Sequence, residues 1–240
     1  MTIATLLAAA TLCSSDAIAI LLNSPASSSR NRYALALETV RREAEAGKPL
    51  QQFVIGITTD DTALAKRYIE ASGAQITALA EQSDNPLAWY LLSVEKNDVK
   101  LLRKAAAGGN VQALNALGTL VAQEAVVNRK TLSEAEIEKL FAESYGYFRQ
   151  AALKRDPNAL INLGTCYLRG LGCRADMSIA VECFRSAARM GHPEGMDCLS
   201  ACYELGQGVK KNPTLSLYWR MKARSLRGDE SATRWLKEGE

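Results

Sequence analysis

Residues 147–172 read YFRQAALKRDPNALINLGTCYLRGLG, and residues 183–208 read CFRSAARMGHPEGMDCLSACYELGQG. The two stretches align without a gap at an offset of 36 residues. The positions they share are Arg149 with Arg185, Ala152 with Ala188, Pro157 with Pro193, Leu163 with Leu199, Tyr167 with Tyr203, Gly170 with Gly206, and Gly172 with Gly208. Self-similarity at one fixed period is the signature of a repeat architecture. The sequence therefore predicts an array of similar structural units.

Two less similar copies flank this pair. The segment LRKAAAGGNVQALNALG, from Leu102, aligns with residues 148–164 at an offset of 46, and YWRMKARSLRGDESA, from Tyr218, continues the pattern at a shift of 35. The ten extra residues upstream lie within residues 125–138, where Ser133 and Glu136 have the spacing of a capping box at a helix start. The array is expected to tolerate this insertion between two helices, as surface loops do.

Each unit has the pattern of two helices. Apolar and small residues recur at spacings of three and four on one stripe, at Ala159, Leu160, Leu163, Gly164 and Tyr167, which is typical of an amphipathic helix. Gly170 and Gly172 are expected to stop that helix, because glycine takes the left-handed conformation found just past helix ends. A second helix is expected from about Met177 to Met190, and Pro193 then opens the next unit at a first-turn position.

These units resemble Sel1-like repeats, which are relatives of the tetratricopeptide repeat. The resemblance rests on the FRxAA block, the small residue Ala159 followed by Leu163 and Gly164, the CYxxGxG turn and the spacing of 36, and it covers about residues 101–240. Two departures are Ser200, which replaces the helix glycine, and the missing glycine pair after Val121. The resemblance implies an all-α, right-handed α-solenoid of stacked antiparallel helix pairs. It also implies a protein-interaction module in a bacterial-type signalling, envelope or assembly context.

The chain is expected to have three parts. Residues 1–30 form an apolar segment with a Ser-rich connector, residues 31–100 form degenerate helical hairpins, and residues 101–240 hold about three Sel1-like repeats and a C-terminal capping helix. Within the second part, one helix should end at Gly47, and two more should run over residues 59–71 and 74–82 with Gly73 between them. The segment PLQQFVIGI, from Pro49, fits a short helix or a strand.

The N-terminal segment and the cysteines leave the compartment open. MTIATLLAAATLC has no preceding Lys or Arg and is interrupted by Asp16, so it fits an uncleaved helix, although an export signal with a lipid on Cys13 is the alternative. A cytoplasmic location is favoured over a periplasmic or lipid-anchored one, and no transmembrane span is expected. Six cysteines without a CxxC pair favour reduced, packed thiols. In related cysteine-rich Sel1-like proteins disulfides tie the two helices of a unit, but here the cysteines do not recur in each unit.

No catalytic or metal-binding pattern is present in the sequence. The glycine loops lack the Lys-Ser/Thr of a phosphate loop, no GxSxG occurs, and the one histidine, His192, stands before Pro193 as a helix-start residue. We therefore expect no catalytic residue, no metal and no cofactor. The net charge of +3 by itself requires neither nucleic acid nor an anionic membrane.

The expected function is that of a non-catalytic scaffold or adaptor that binds a protein or peptide on the concave face of the solenoid. The candidate binding residues are the first-helix positions opposite the core stripe: Asn115, Thr119, Asn158, Asn162, Thr165, Arg169, Glu194 and Asp197. The alternative is an anionic partner such as nucleic acid on a basic patch, in a run of 24 residues without an acid, formed by Lys210, Lys211, Arg220, Arg224 and Arg227. An arginine column contains Arg103, Arg149, Arg185 and Arg220. From Arg103 to Arg185 it is interpreted as a surface position paired with nearby acids rather than as a rail for an acidic partner, whereas Arg220 falls on one helical face with Arg224 and Arg227.

Overall fold

The computed structural model describes residue 18 and residues 30–238, and in these residues it contains α-helices and no β-strand. The helices are α1 Arg30–Glu45, α2 Pro49–Thr58, α3 Thr62–Ser83, α4 Pro86–Lys96, α5 Val99–Ala107, α6 Val111–Val127, α7 Glu134–Leu153, α8 Pro157–Arg169, α9 Met177–Arg189, α10 Pro193–Leu205, α11 Pro213–Leu226 and α12 Glu230–Glu238. None of them combines the length and the apolar character needed to cross a bilayer. The interpretations of the apolar N-terminal segment and of Cys13 fall outside the described residues.

The chain divides into two compact units. The described part of the first is residue 18 and residues 31–113, and that of the second is residue 30 and residues 114–238. In the first unit, the segment PLQQFVIGI forms α2, with Pro49 in the first turn, and buries Phe53, Val54 and Ile55. Gly56 lets α2 approach α3, because a Cβ at that position would lie 2.8 Å from Ile69 Cγ1. The helix alternative for this segment is therefore the correct one.

Gly73 does not separate two helices. The prediction of helices over residues 59–71 and 74–82 is wrong, because α3 runs without a break from Thr62 to Ser83. A Cβ at Gly73 would meet no atom within 4 Å, so this glycine marks neither a turn nor a close contact. A single glycine costs a helix about 1 kcal/mol, which packing elsewhere along the helix can offset.

The second unit is built from helix hairpins that repeat one close contact. In two of them a glycine of the first helix faces a buried phenylalanine of the second: Gly118 faces Phe148 and Gly164 faces Phe184, each with a built Cβ 2.7 Å from the ring. In the third hairpin Ser200 replaces the glycine, and its Oγ donates to the Ser216 carbonyl at 2.8 Å. Small residues thus hold the paired helices together at close range in all three hairpins.

The turns inside the hairpins are the glycine loops of the repeat. Gly170 ends α8 in the left-handed conformation at φ 68, and Gly206 does the same for α10 at φ 74. The second glycine of each loop packs on the preceding second helix: a Cβ at Gly172 would overlap the Phe141 carbonyl, and one at Gly208 would overlap the Met177 carbonyl. The interpretation of the glycines as turns between paired helices is confirmed.

The turns between hairpins also require a left-handed residue. Gly109, Gly191 and Gly228 have φ values of 81, 84 and 95, while the corresponding turn between α7 and α8 has Arg155 at φ 62. The next residue is the helix N-cap, and Asp156 fills that role for α8 by accepting from Ala159 N at 2.7 Å. His192 begins α10 as predicted but makes no side-chain cap hydrogen bond.

The structural register of α11 differs from the one that its sequence suggests. The buried Ser216 and Ala223 lie 36 residues after the buried Ala180 and Ala187, whereas the YWR sequence aligns with CFR at a shift of 35. Arg220 therefore occupies the register of Phe184 rather than that of Arg185. The assignment of Arg220 to the arginine column was wrong, because local similarity outweighed the burial pattern.

Candidate partner-binding face

The first-helix face of the second unit is joined by a hydrogen bond between two hairpins. Asn162 Nδ2 on α8 donates to Asn115 Oδ1 on α6 at 2.9 Å. Both carboxamides are partly exposed, and each keeps further donor or acceptor capacity after this one bond. Two candidate residues that stand 47 positions apart in sequence are thus in direct contact, which sequence spacing alone did not indicate.

The other candidates on α6 and α8 differ in what they offer a ligand. Thr119 Oγ1 donates to the Asn115 carbonyl and Thr165 Oγ1 to the Ile161 carbonyl, both at 3.0 Å, so these hydroxyl protons are used within their own helices. Asn158 is partly exposed in the first turn of α8. Arg169 is exposed in the last turn of α8, where a cation also interacts favourably with the helix dipole. Arg169 is therefore the charged group that α8 offers on this face.

The two acidic candidates on α10 have different surroundings. Glu194 is exposed in the first turn, whereas Asp197 Oδ2 accepts from Arg227 Nη2 at 2.5 Å. Asp197 stands 36 residues after Ile161, a buried core residue, so its carboxylate takes a position that is apolar in the preceding hairpin. Glu194 is accordingly the more available acid for a partner.

The three arginines of the predicted basic patch all contact carboxylates. Arg220 pairs with Glu204, Arg224 Nε donates to Asp229 Oδ2 at 2.8 Å, and Arg227 pairs with Asp197. Glu204 and Asp229 directly border the acid-free run in sequence, and Asp197 lies eight positions before it. Only Lys210 and Lys211 of the patch are exposed without a carboxylate partner in the described part of the chain.

In the arginine column, Arg185 behaves as a paired surface residue. It contacts Glu182 one turn earlier on α9, and a hydrogen bond with Tyr203 is the main cause of its raised pKa. This agrees with the interpretation that the column pairs with nearby acids. Arg103 and Arg149 are exposed on α5 and α7.

The cysteines of the second unit are free thiols inside apolar surroundings. Cys166 and Cys183 pack with Phe148 and Leu163 in one core cluster. Burial raises the pKa of the Cys166 thiol to about 12 and that of Cys183 and Cys198 to about 11. Thiols with such pKa values stay protonated at neutral pH and are poor nucleophiles, as expected for packing groups.

Two buried ionisable side chains occupy the same position in successive hairpins. Asp156 is 3% exposed and His192 is 6% exposed. Asp156 Oδ2 and both His192 ring nitrogens have no hydrogen-bond partner among the described residues. Burial is the main cause that raises the pKa of Asp156 and lowers that of His192, and the nearby Arg227 lowers the His192 pKa further. In the described residues, no group of three or more His, Cys, Asp or Glu is arranged to hold a metal ion.

The sequence of the helix hairpins matches a known repeat family. A family model described as Sel1 repeat matches residues 99–110, 157–192 and 195–219, which include the hairpin of α8 and α9, most of α10 and the first half of α11. The chain is a Sel1-like repeat protein. The matched segments contain five of the eight candidate face residues, which are Asn158, Asn162, Thr165, Arg169 and Asp197.

Known Sel1-like structures and curated relatives resemble parts of the chain. The crystal structure of c5321, a protective antigen of uropathogenic Escherichia coli displaying an SLR fold, aligns with a TM-score of 0.50 and 20% identity over 84% of this chain and 45% of that one, which supports the solenoid fold. A Sel1 repeat protein from Oxalobacter formigenes is 27% identical over 53% of this chain and 90% of its own, with a TM-score of 0.43.

The curated relatives are much longer than the matched region. DAP3-binding cell death enhancer 1 from Rattus norvegicus is 31% identical over 107 residues, and its Mus musculus counterpart gives the same identity. The match covers 45% of this chain but only 19% of each relative. The chain thus spans about a fifth of the length of these relatives.

Proposed function

We propose that this Sel1-like repeat protein is a non-catalytic scaffold that binds a partner protein or peptide on the first-helix face of its second unit. Sel1-like repeats are protein-interaction modules in general, and the first helices of helical solenoids line their binding surfaces. The matched rat protein is named for binding DAP3, which is in keeping with a binding role for such repeats.

The observation that carries the proposal is the chemistry of this face. The Asn115–Asn162 pair joins two hairpins at 2.9 Å, and Arg169 on α8 and Glu194 on α10 are exposed. Carboxamides can donate to and accept from a peptide main chain at the same time, and they do not require a particular partner sequence. A cation on α8 and an acid on α10 then provide charge selection.

A charge-swap experiment tests this face without altering the net charge. The variant Arg169→Glu with Glu194→Lys reverses both charges on the face, and Arg149→Glu with Glu138→Lys makes the same exchange on α7, where both residues are exposed. Proteins captured from the native host by the wild-type chain and by the α7 variant should be lost from the face variant. Mass spectrometry identifies them, and titration of each purified candidate should show the same order of affinity.

Stability measurements separate loss of binding from loss of folding. All four positions are exposed, and surface substitutions usually change stability by about 0.5 kcal/mol or less. Both variants should therefore melt near the wild-type temperature. If the face variant captures the same proteins with the same affinity, the binding surface lies elsewhere.

The structure gives less support to an anionic partner on the predicted basic patch. Arg220, Arg224 and Arg227 are each engaged by a carboxylate, which reduces the positive field that they present. We therefore keep the scaffold function as the proposal and do not extend it to nucleic acid.

A further inference from the structure

The loops inside the three hairpins of the second unit share one combination of side chains. The loop after α6 has Arg129 and Lys130, the loop after α8 has Arg174, and the loop after α10 has Lys210 and Lys211. All five cations are exposed, and none has a carboxylate partner in the described part of the chain. We call these residues and their apolar neighbours the loop edge.

Each loop also exposes an aliphatic side chain beside its cations. Val126 and Val127, at the end of α6, are 62% and 79% exposed. Met177, at the start of α9, is 46% exposed, and Leu205, at the end of α10, is 66% exposed. Val126, Val127 and Leu205 leave most of their apolar surface in water, and a contact outside the chain would bury it.

Contacts between successive hairpins place these loops along one edge. The loop after α10 packs on the start of α9, because Gly208 lies against the Met177 carbonyl, and Met177 follows the Arg174 loop directly. In the same way, Gly172 in the loop after α8 lies against the Phe141 carbonyl on α7. The loops after α8 and α10 are thus neighbours, and the loop after α6 leads into the helix on which the loop after α8 packs.

The loop after α6 extends further than the other two. The sequences of α6 and α8 align at an offset of 46, so the end of α8 at Arg169 corresponds to residue 123 of α6. The helix α6 continues four residues past that point, to Val127. At 1.5 Å per residue this is about 6 Å. The most exposed apolar pair of the loop edge, Val126 and Val127, therefore lies beyond the level at which α8 ends.

Three of the acids near this edge make contacts within the chain, whereas Glu124 and Glu134, on either side of the loop after α6 in sequence, are exposed. Asp176 caps α9 by accepting from Ser178 N and Ile179 N, and Glu204 pairs with Arg220. At the start of α7, Glu136 accepts from Ser133 N and from the Ser133 hydroxyl. On the opposite edge, Arg227 is paired with Asp197 and Asp156 is buried, while Leu153 is 76% exposed beside the exposed Arg155.

We propose that the loop edge docks on the surface of an anionic lipid bilayer, with Val126 and Val127 entering the headgroup boundary and the five cations facing the anionic lipids. Aliphatic groups of interfacial proteins enter this boundary by about 5–10 Å, which matches the extra reach of the loop after α6. Each basic residue near an anionic leaflet raises the affinity about fivefold.

Other anionic partners fit these observations less well. A nucleic acid would contact cations and stacking aromatics, and exposed valine, methionine and leucine add nothing to phosphate recognition. A bound acidic peptide would need a groove with side-chain pockets, whereas the apolar groups here stand on separate loops. A bilayer is wide enough to meet all three loops at once.

Vesicle sedimentation with the full chain tests the proposal. The probes are phosphatidylcholine vesicles with and without about 30% phosphatidylserine, at about 50 and 500 mM salt. We expect the chain to bind more tightly to the phosphatidylserine vesicles, and the gain to fall at high salt. Variants of the full chain are compared with the wild type, so any vesicle binding by segments outside the loop edge is the same in both and cancels.

Two loop-edge variants and one control separate the contributions. Lys210→Glu with Lys211→Glu should lower the affinity for the anionic vesicles at least about tenfold. Val126→Ser with Val127→Ser should weaken binding at both salt concentrations, because insertion does not depend on screening. Arg189→Glu with Arg234→Glu makes the same change in net charge at exposed sites outside the loop edge and should change affinity by less than about twofold.

Three results would overturn the proposal. One is equal binding to both kinds of vesicle at low salt, and another is an equal loss in the control variant. The third combines two findings: the valine variant binds the vesicles as tightly as the wild type, and soluble heparin fully displaces the wild-type chain from them. That result would mean that the cations bind an acidic macromolecule rather than a bilayer. Circular dichroism of each variant confirms that the exposed substitutions leave the helices intact.

Discussion

Two glycines in helix interiors of the second unit should respond in opposite ways to one added methyl group. Gly146 lies within α7 and Gly164 within α8. A Cβ at Gly146 would meet no atom within 4 Å, whereas one at Gly164 would lie 2.7, 3.0 and 3.1 Å from three ring atoms of Phe184. Phe184 is 1% exposed, so its ring cannot move into solvent. The pair isolates the cost of the close hairpin contact.

The expected magnitudes follow from two opposing effects. Replacing glycine by alanine inside a helix gains about 1 kcal/mol from backbone propensity at either site. Overpacking a well-filled core costs about 1–3 kcal/mol, and this cost applies only at Gly164. Gly146→Ala should therefore stabilise the chain by about 1 kcal/mol, and Gly164→Ala should be less stable than Gly146→Ala by about 1–3 kcal/mol.

Urea denaturation followed by circular dichroism measures both variants, and the difference between their unfolding free energies is the quantity of interest. The double variant Gly164→Ala with Phe184→Leu adds a second check, because the smaller side chain should relieve part of the clash. Contacting residues of this kind couple by about 0.5–3 kcal/mol. If Gly164→Ala is as stable as Gly146→Ala, or if the cycle shows no coupling, the close contact between α8 and α9 is not what requires glycine.

Three further predictions concern single positions of the second unit. Arg155→Gly should stabilise the chain by about 0.5–1 kcal/mol in thermal denaturation, because Arg155 is in the left-handed region at φ 62 where the corresponding turns have glycine; a lower melting temperature would contradict this. The pKa of His192 is lowered in the folded chain, so the unfolded chain binds the proton first and stability should fall as pH drops below about 6.5, by at most about 1.4 kcal/mol per pH unit. His192→Asn should reduce that slope in urea titrations at pH 7.5 and 5, and an unchanged slope would assign it to other groups. Alkylation at pH 7.5 should modify Cys166, Cys183 and Cys198 slowly in the native chain and rapidly in urea, and fast native labelling would contradict the raised thiol pKa values.

Much of the repeat architecture could be predicted because glycine and helix caps act locally. The glycine loops at Gly170 and Gly206, the capping box at Ser133 and the helix start at Pro193 each depend on residues within a few positions, and all four are confirmed. Gly73 was misread because an isolated glycine weakens a helix by only about 1 kcal/mol, and the sequence does not show whether packing compensates. Prediction of helix boundaries from sequence is limited because helix propensity depends on neighbouring residues, whereas packing depends on residues that are distant in sequence.

The chemistry of the surface was harder to predict because its contacts are distant in sequence. Asp197 and Arg227 are 30 positions apart, and Asn115 and Asn162 are 47 apart, yet both pairs are in contact. The run from Leu205 to Gly228 was read as basic because it contains no acid, but Glu204 and Asp229, at its two borders, each pair with one of its arginines. Counting charges within a segment misses partners that the fold brings from outside it.

The register of α11 gives these ion pairs a structural reason. Arg220 and Arg224 lie 36 residues after Phe184 and Ala188, two buried residues of α9. Repeat arrays need a polar outer surface on their last units, because no further unit covers the apolar stripe. Charged side chains with their own carboxylate partners meet that need without leaving a strong positive field. The cations that remain without carboxylate partners, among them Lys210 and Lys211, are then better candidates for an anionic partner than the arginines of α11. That distinction is why the vesicle experiment replaces the lysines rather than Arg220, Arg224 or Arg227.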